Sequence, residues 1–196
     1  DIGIWKPVYL EGNSTARLDS VYITQEHSGD GVKLNISPDT VYYDDCKAEY
    51  EITVTSPEGE KKTLKSDGDI TIDIDNPKLW YPNGYGEQPL YTVDVVLYCG
   101  GVKTDSKEYV IGLRTIELVN EEDERGKSFY FRVNGLDMFA KGANYIPEDN
   151  LLEKRREKAE HILKSCRMAN FNMVRIWGGG VYMDDEFYKR CCEYGL

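Results

Sequence analysis

The spacing of the apolar residues changes near Val119, and this change most constrains what the chain can fold into. Before it, apolar and polar residues alternate, which is the two-residue period of strands with one face in water. Runs of Gly, Pro and Asp separate the strands, and Gly100-Gly101 predicts a hairpin. The alternating sets are Val32, Leu34 and Ile36; Tyr50, Ile52 and Val54; Ile70, Ile72 and Ile74; and Val93, Val95 and Leu97. The pattern predicts a small β-sandwich of immunoglobulin type.

After Val119 the pattern alternates between strands and helices. Asn134-Gly135 predicts a hairpin, and a helical apolar stripe of Ala159, Ile162, Leu163, Cys166 and Ala169 follows. The predicted elements are strands Phe129–Val133 and Asp137–Lys141, helix Lys154–Asn170, strand Met173–Trp177 and helix Asp185–Tyr194. Asp184 or Asp185 would cap the second helix, Phe187, Tyr188 and Cys191 would face inward, and Gly195 would end it. This order is the opening of a parallel α/β fold, too short to complete one.

The bulk composition excludes several classes of partner. A net charge of −11 and a pI near 4.7 argue against a nucleic-acid partner, because its phosphates would be repelled. The sequence contains no run of eighteen apolar residues, so we predict no membrane span. His27, expected in a turn, and His161, expected on the polar edge of a helix, lack metal-ligand spacing. Gly178-Gly179-Gly180 does not match a nucleotide-binding loop. We therefore predict no metal and no cofactor.

The five cysteines, at positions 46, 99, 166, 191 and 192, include no C-x-x-C motif. Because the number is odd and Cys191 and Cys192 are adjacent, we interpret all five as reduced thiols. Unpaired cysteines favour a reducing compartment such as the cytoplasm, although the location stays open.

The run Phe171–Val181, FNMVRIWGGGV, holds the strongest candidate site. Its apolar residues have the strand period, and three glycines end the strand beside Arg175 and Trp177. An aromatic face next to a fixed cation is a common way to hold a sugar ring. The alternative is a core strand followed by a tight turn.

Other motifs have structural interpretations. The carboxylates Glu148-Asp149 and Asp184-Asp185-Glu186 are expected to support helix N-termini, so no general acid or nucleophile is assigned. The aromatic run Trp80–Tyr91 is either a sugar-stacking surface or, as we favour, a structured loop that closes one end of the sandwich.

Six runs together resemble glycoside hydrolase family 2 and, within it, the β-mannosidases. They are Gly3–Val8, Leu79–Tyr91, Ile111–Arg114, Phe131–Gly135, Lys141–Pro147 and Asn172–Gly180. Tyr81 and Tyr145 stand where tryptophan is expected in relatives, and their hydroxyls need partners if buried.

The resemblance implies a multidomain layout with an incomplete catalytic domain. Residues 1–15 would be the last strand of a missing jelly-roll domain, residues 16–115 the immunoglobulin-like sandwich, and residues 116–196 the first β/α units of a TIM barrel. The parent would be a retaining exo-β-mannosidase that removes terminal non-reducing β-D-mannose. Both catalytic glutamates would lie beyond the C-terminus, so this fragment would contain no catalytic residue and be inactive.

The resemblance also assigns site residues and partners. Arg175 would orient the nucleophile, Trp177 would pack against the mannose ring, and Asn144 would line the pocket. β-Mannoside oligosaccharides would be the partners of the parent, and an exposed barrel edge would allow a homo-oligomer. Two alternatives stay open: a β-galactosidase- or β-glucuronidase-like hydrolase, and a non-catalytic glycan-binding or spacer module.

Overall fold

The computed structural model describes residues 4, 8–29, 31–149 and 152–196. These residues form two compact units. One, the sandwich unit, comprises the described residues within 9–78 and 89–113, and the other, the α/β unit, comprises the described residues within 1–8, 79–88 and 114–196. No helix in the described ranges is both long and apolar enough to cross a bilayer.

The sandwich unit contains two antiparallel sheets. Its strands are β1 (Ala16–Ser28), β2 (Gly31–Tyr42), β3 (Ala48–Thr55), β4 (Lys61–Ser66), β5 (Ile70–Asp75), β6 (Tyr91–Cys99) and β7 (Val102–Ile111). One sheet has the order β1-β2-β5 and the other β4-β3-β6-β7. The apolar positions predicted to face inward on β2, β3 and β6 are all buried, so the predicted β-sandwich is confirmed.

A disulfide between Cys46 and Cys99 corrects the prediction that all five cysteines are reduced. Strand β3 pairs with β6 so that Ala48 lies opposite Cys99, and this register brings Cys46 within a Cα–Cα distance of 5.5 Å of its partner. The two cysteines are separated by 53 positions in sequence, so no local motif marks them. Cys166, Cys191 and Cys192 are free thiols.

The α/β unit begins with short antiparallel strands and ends in two strand–helix pairs. Its elements are β8 (Ile116–Val119), β9 (Glu122–Asp123), β10 (Gly126–Lys127), β11 (Tyr130–Val133), β12 (Leu136–Met138), β13 (Gly142–Tyr145), α1 (Leu152–Met168), β14 (Met173–Ile176) and α2 (Asp185–Tyr194). The Asn134-Gly135 hairpin joins β11 to β12, with both residues at positive φ, as predicted.

Strands β13 and β14 are parallel neighbours covered by the two helices. The apolar core contains Tyr145, Ala159, Leu163, Phe187 and Cys191. Helix α2 has the predicted bounds: Asp184 accepts a hydrogen bond from the backbone N–H of Phe187, and Gly195 adopts the left-handed conformation. Two residues predicted to face the core do not. Tyr188 is partly exposed on α2, and Ala169 is exposed and lies beyond the end of α1.

The segment Leu79–Gln88 groups with the α/β unit, which corrects the expectation that it closes one end of the sandwich. The indole of Trp80 is only 3% exposed, and its Nε1 donates to the carbonyl of Cys192 at 2.7 Å. Asn83 donates from Nδ2 to the carbonyl of Phe171 at 2.9 Å and to that of Arg167 at 3.1 Å. The segment thus contacts the chain at the C-terminal ends of both helices.

Six residues of the strand predicted in residues 1–15, namely 1–3 and 5–7, lie outside the described residues. The described positions, 4 and 8–15, contain no strand. The run Gly3–Val8 that contributes to the family resemblance is described only at Ile4 and Val8.

Candidate functional site

The pairing of β13 with β14 brings two of the three predicted site residues into contact. Asn144 and Arg175 are register partners in the parallel pair. Nη1 of Arg175 donates to Oδ1 of Asn144 at 2.9 Å, and both side chains are exposed. The guanidinium retains further N–H groups, since an arginine side chain carries five donors. A cation and an amide are therefore presented side by side.

Two features position the start of β13 beside the start of β14: the close backbone contact at Gly142 and the buried side-chain amide of Asn172. A Cβ on Gly142 would collide with the backbone of Met173, so only glycine fits there. The Asn172 side chain accepts from the backbone N–H of Lys141 at 2.8 Å and donates to the carbonyl of Phe139 at 3.0 Å. Asn172, buried at 3% exposure, is a positioning residue that the sequence interpretation missed. A polar residue directly before a predicted strand was the available signal.

Trp177, the third predicted residue, follows directly after β14. Its backbone N–H donates to the carbonyl of Tyr145 at 3.0 Å, which continues the ladder by one residue. Residues 175 and 177 therefore share a face by the strand period, opposite Ile176, which packs on the core. The Trp177 side chain is 44% exposed. The indole is therefore not sealed in the core, although β14 itself packs on the core through Ile176.

A buried tyrosine and a carboxylate lie behind this face. The hydroxyl of Tyr145 donates to Oε1 of Glu148, while Oε2 of Glu148 is buried without a hydrogen-bond partner among the described residues. Burial, with a further contribution from the adjacent carboxylate, raises the pKa of Tyr145 well above its ordinary value, so the phenol stays neutral. The contact connects Glu148 to the end of β13, and its support of a helix N-terminus stays a prediction.

The Tyr145 ring also lies 4.7 Å from the Phe187 ring, centroid to centroid, which connects the strand end to helix α2. The tyrosine at position 145 therefore has a partner for its hydroxyl and a packed ring. Tyr81, the other tyrosine in place of an expected tryptophan, is half-buried.

The remaining candidate chemistries find no support in the described part of the chain. No cluster of three or more His, Cys, Asp and Glu side chains that could hold a metal occurs within it. His27 lies on β1 rather than in a turn, and burial lowers its pKa, whereas His161 is exposed on α1 as predicted. The glycine turn does not lead directly into a helix N-terminus, because α2 begins at Asp185 and the Asp184 carboxylate occupies its first turn.

The arrangement at the ends of β13 and β14 can bind a polyhydroxylated ring. Guanidinium and amide groups donate to and accept from hydroxyls, and the exposed indole offers an apolar face with one N–H donor. Hydrolysis with retention needs two carboxyl groups ~5 Å apart, and no such role is assigned to residues of this chain.

Comparison with known proteins identifies a family and several similar relatives. Residues 16–114, half of the chain, match the family described as Glycosyl hydrolases family 2. Beta-mannosidase B of Aspergillus flavus is 37% identical over 206 aligned positions, which cover 99% of this chain and 24% of that protein. Beta-mannosidase B of Emericella nidulans is 34% identical with the same coverage.

Solved structures of similar fold include a β-mannosidase as well. The β-D-mannosidase from Dictyoglomus thermophilum superposes with a TM-score of 0.84 at 35% identity, over 94% of this chain and 24% of that one. An exo-chitosanase from Amycolatopsis orientalis shares the fold, with a TM-score of 0.73 at 23% identity. The chain belongs to glycosyl hydrolase family 2. It spans about a quarter of the length of the curated relatives it matches.

Proposed function

We propose that this chain forms the sandwich and one wall of the sugar pocket of a retaining exo-β-mannosidase, which acts on terminal non-reducing β-D-mannose. The observation that carries the proposal is the juxtaposition of Asn144, Arg175 and the exposed Trp177 at the ends of two parallel strands. Two relatives above 30% identity that carry the name β-mannosidase, one from Aspergillus flavus and one from Dictyoglomus thermophilum, support the substrate class.

The finer architecture is part of the proposal. The sheet orders β1-β2-β5 and β4-β3-β6-β7 support an immunoglobulin-like sandwich for residues 16–115. The parallel β13–α1–β14–α2 series supports a TIM-barrel beginning in residues 116–196. Active sites of such barrels lie at the C-terminal ends of the strands, where the three residues are found. In this arrangement Trp177 stacks on the sugar, Arg175 orients the nucleophile, and Asn144 lines the pocket.

The catalytic step would use two glutamates from outside this chain. Retention requires a nucleophile and a general acid/base on opposite sides of the scissile bond. This chain contributes binding and orientation, and we expect residues 1–196 alone to be inactive. Strand β14 pairs within the described residues only with β13, so its other edge is open to a further strand or to a second copy of the chain. Analytical ultracentrifugation of the isolated chain would measure the self-association that we expect.

A chimera tests the activity. The aligned quarter of the Dictyoglomus thermophilum enzyme is replaced by residues 1–196, and hydrolysis of p-nitrophenyl β-D-mannopyranoside is measured. We expect hydrolysis, and Trp177→Ala should lower kcat/KM by about tenfold or more, the equivalent of about 1.4 kcal/mol of lost stacking. Tyr22→Ala, which removes an exposed aromatic of the sandwich, is the control and should have no effect. A folded chimera that cleaves only the β-galactoside or β-glucuronide would reject mannose as the substrate.

Titration of the isolated chain with methyl β-mannoside distinguishes the proposed pocket wall from the alternative of a non-catalytic glycan-binding module. We expect weak binding that perturbs the NMR signal of the Trp177 indole and is lost in Trp177→Ala. Binding that survives this change but is lost when Trp80 is altered would favour a glycan-binding module. The burial of Trp80 argues against that outcome, because its ring is only 3% exposed and its Nε1 is already hydrogen-bonded.

A further inference from the structure

The turn after β14 contains a glycine whose missing side chain leaves space for the Trp177 ring. We propose that Gly179 is a positioning residue that sets the orientation of this indole. The inference rests on the proposed function only in assigning sugar stacking to Trp177. The contact between Gly179 and the indole is independent of any ligand.

The backbone of this turn does not itself require glycine at position 179. The N–H of Gly180 donates to the carbonyl of Trp177 at 3.2 Å, so residues 177–180 form a turn with Gly178 and Gly179 in the middle. None of the three glycines has a φ in the left-handed region, the usual reason for glycine in a turn. Another constraint must therefore account for a glycine at position 179.

The constraint at Gly179 is the six-membered ring of the indole. A methyl group placed on this residue would lie 2.7 Å from Cε2 of Trp177 and closer still to Cζ2 and Cη2. Carbon atoms in contact are ~3.5–4.0 Å apart, so an alanine would displace the ring or the backbone. The ring can therefore lie directly on the turn only because position 179 has no side chain.

Gly180 does not share this constraint. A methyl group on Gly178 would meet nothing within 4 Å outside its adjacent residues, Trp177 and Gly179. One on Gly180 would make ordinary contacts, at 3.5 Å from Cδ of Pro147 and 3.7 Å from Cε3 of Trp177. Gly178→Ala and Gly180→Ala are thus matched controls that add the same methyl group to the same turn.

The consequence for binding follows from the direction in which the ring faces. An indole supported by the turn loses little conformational entropy when a sugar stacks on it, because the ring is already ordered. An indole displaced by a Cβ would present another face or remain mobile. Gly179 would therefore affect ligand affinity without touching the ligand.

NMR of the 196-residue chain tests the inference. The Nε1–H signal of Trp177 is assigned by its disappearance in Trp177→Phe, and NOEs from the ring to the Gly179 α-protons are recorded. We expect these NOEs in the parent chain and in Gly178→Ala and Gly180→Ala. In Gly179→Ala the Nε1–H signal should shift, and where methyl β-mannoside binding is measurable, its dissociation constant should rise about tenfold, equivalent to about 1.4 kcal/mol.

If Gly179→Ala lowers the melting temperature, a double-mutant comparison shows whether the Trp177 indole is the cause. If the indole causes the clash, the same substitution made in a Trp177→Ala background should cost little stability. An equal cost in both backgrounds, missing ring-to-Gly179 NOEs in the parent, or an equal Nε1–H shift in Gly180→Ala would overturn the inference. Absence of any mannoside effect alongside intact NOEs would count against the proposed function and leave the Gly179 contact standing.

Discussion

Nε1 of Trp80 donates to the carbonyl of Cys192, 112 positions later in the chain, at 2.7 Å. The Arg114 guanidinium lies 4.3 Å from the centre of the same indole ring. Oδ1 of Asn134 accepts from the backbone N–H of Thr115 at 2.9 Å, and its Nδ2 donates to the Trp80 carbonyl at 3.0 Å. Segment Leu79–Gln88 thus belongs to the hydrogen-bonded framework of the α/β unit, and residues 114–196 alone lack part of that framework.

Replacing Trp80 by Phe should therefore destabilise the α/β unit. The change removes the indole N–H from the partly buried carbonyl of Cys192, which still accepts from the N–H of Gly195, so we expect a loss of about 0.5–1.5 kcal/mol in the free energy of unfolding. Trp80→Ala, which also removes the buried ring, should cost about 3–5 kcal/mol. Urea denaturation followed by circular dichroism measures both. Glu87→Ala, at an exposed position of the same segment, is the control, and equal losses in all three variants would contradict the structure.

The amino-acid pattern predicted local structure well and long-range contacts poorly. The two-residue period identified β2, β3, β5 and β6 of the sandwich but not β1 or β4. The capping residues Asp184 and Gly195 gave the bounds of α2, because these signals lie within a few residues of one another. The disulfide and the contacts of Leu79–Gln88 depend on residues brought together only by the folded chain. The segment has the composition of a turn, which does not reveal the unit on which it packs.

The candidate site shows the same limit. Arg175 and Trp177 were found because both lie at the end of one predicted strand. Asn144 came from the family resemblance, and it lies on β13, the strand that pairs with β14. Asn172 and Gly179 were not found as positioning residues, because their roles depend on a carbonyl 33 positions away and on the direction of a ring. Residue type alone does not carry that information.

The cysteines should divide into three free thiols and one disulfide. Thiol titration of the unfolded, unreduced chain should count three groups, and titration after reduction should count five. In the folded chain Cys191 should react slowly with iodoacetamide, because burial raises its pKa to about 12 and the thiolate is the nucleophile. Mass spectrometry of alkylated peptides locates each label. Five thiols before reduction would mean that Cys46 and Cys99 are not bonded.

Gly195→Ala should cost more stability than the same change at Gly135. Both glycines have φ near +75°, at 75° and 77° respectively, so alanine at either pays the left-handed penalty of roughly 1–2 kcal/mol. Only at Gly195 would the new methyl group also meet a neighbour, the backbone nitrogen of Asn83 at 2.5 Å, whereas nothing lies within 4 Å at Gly135. Thermal unfolding of the two variants isolates this contact, and equal losses would argue against the packing of Asn83 on the end of α2.

The carboxylate of Glu160 should make stability depend on pH in the acid range. It accepts from the Tyr194 hydroxyl at 2.6 Å and pairs with Lys164 at 2.9 Å and Arg190 at 3.5 Å. These contacts, led by the Tyr194 hydrogen bond, lower its pKa below the ordinary 4.5. A group whose pKa is lower in the folded state contributes stability above its unfolded pKa and loses it as the pH falls through the folded value.

Glu160→Gln should therefore be less stable than the parent at pH 7, by less than about 1 kcal/mol because the group is partly exposed. The difference should narrow as the pH falls below 4.5, since protonation of Glu160 removes the same interactions from the parent. Urea unfolding at a series of pH values measures the difference directly. Glu157→Gln, an equal charge change at an exposed position of α1, controls for net charge. A difference that stays constant from pH 7 to pH 3 would show that the Glu160 charge does not hold α1 to α2.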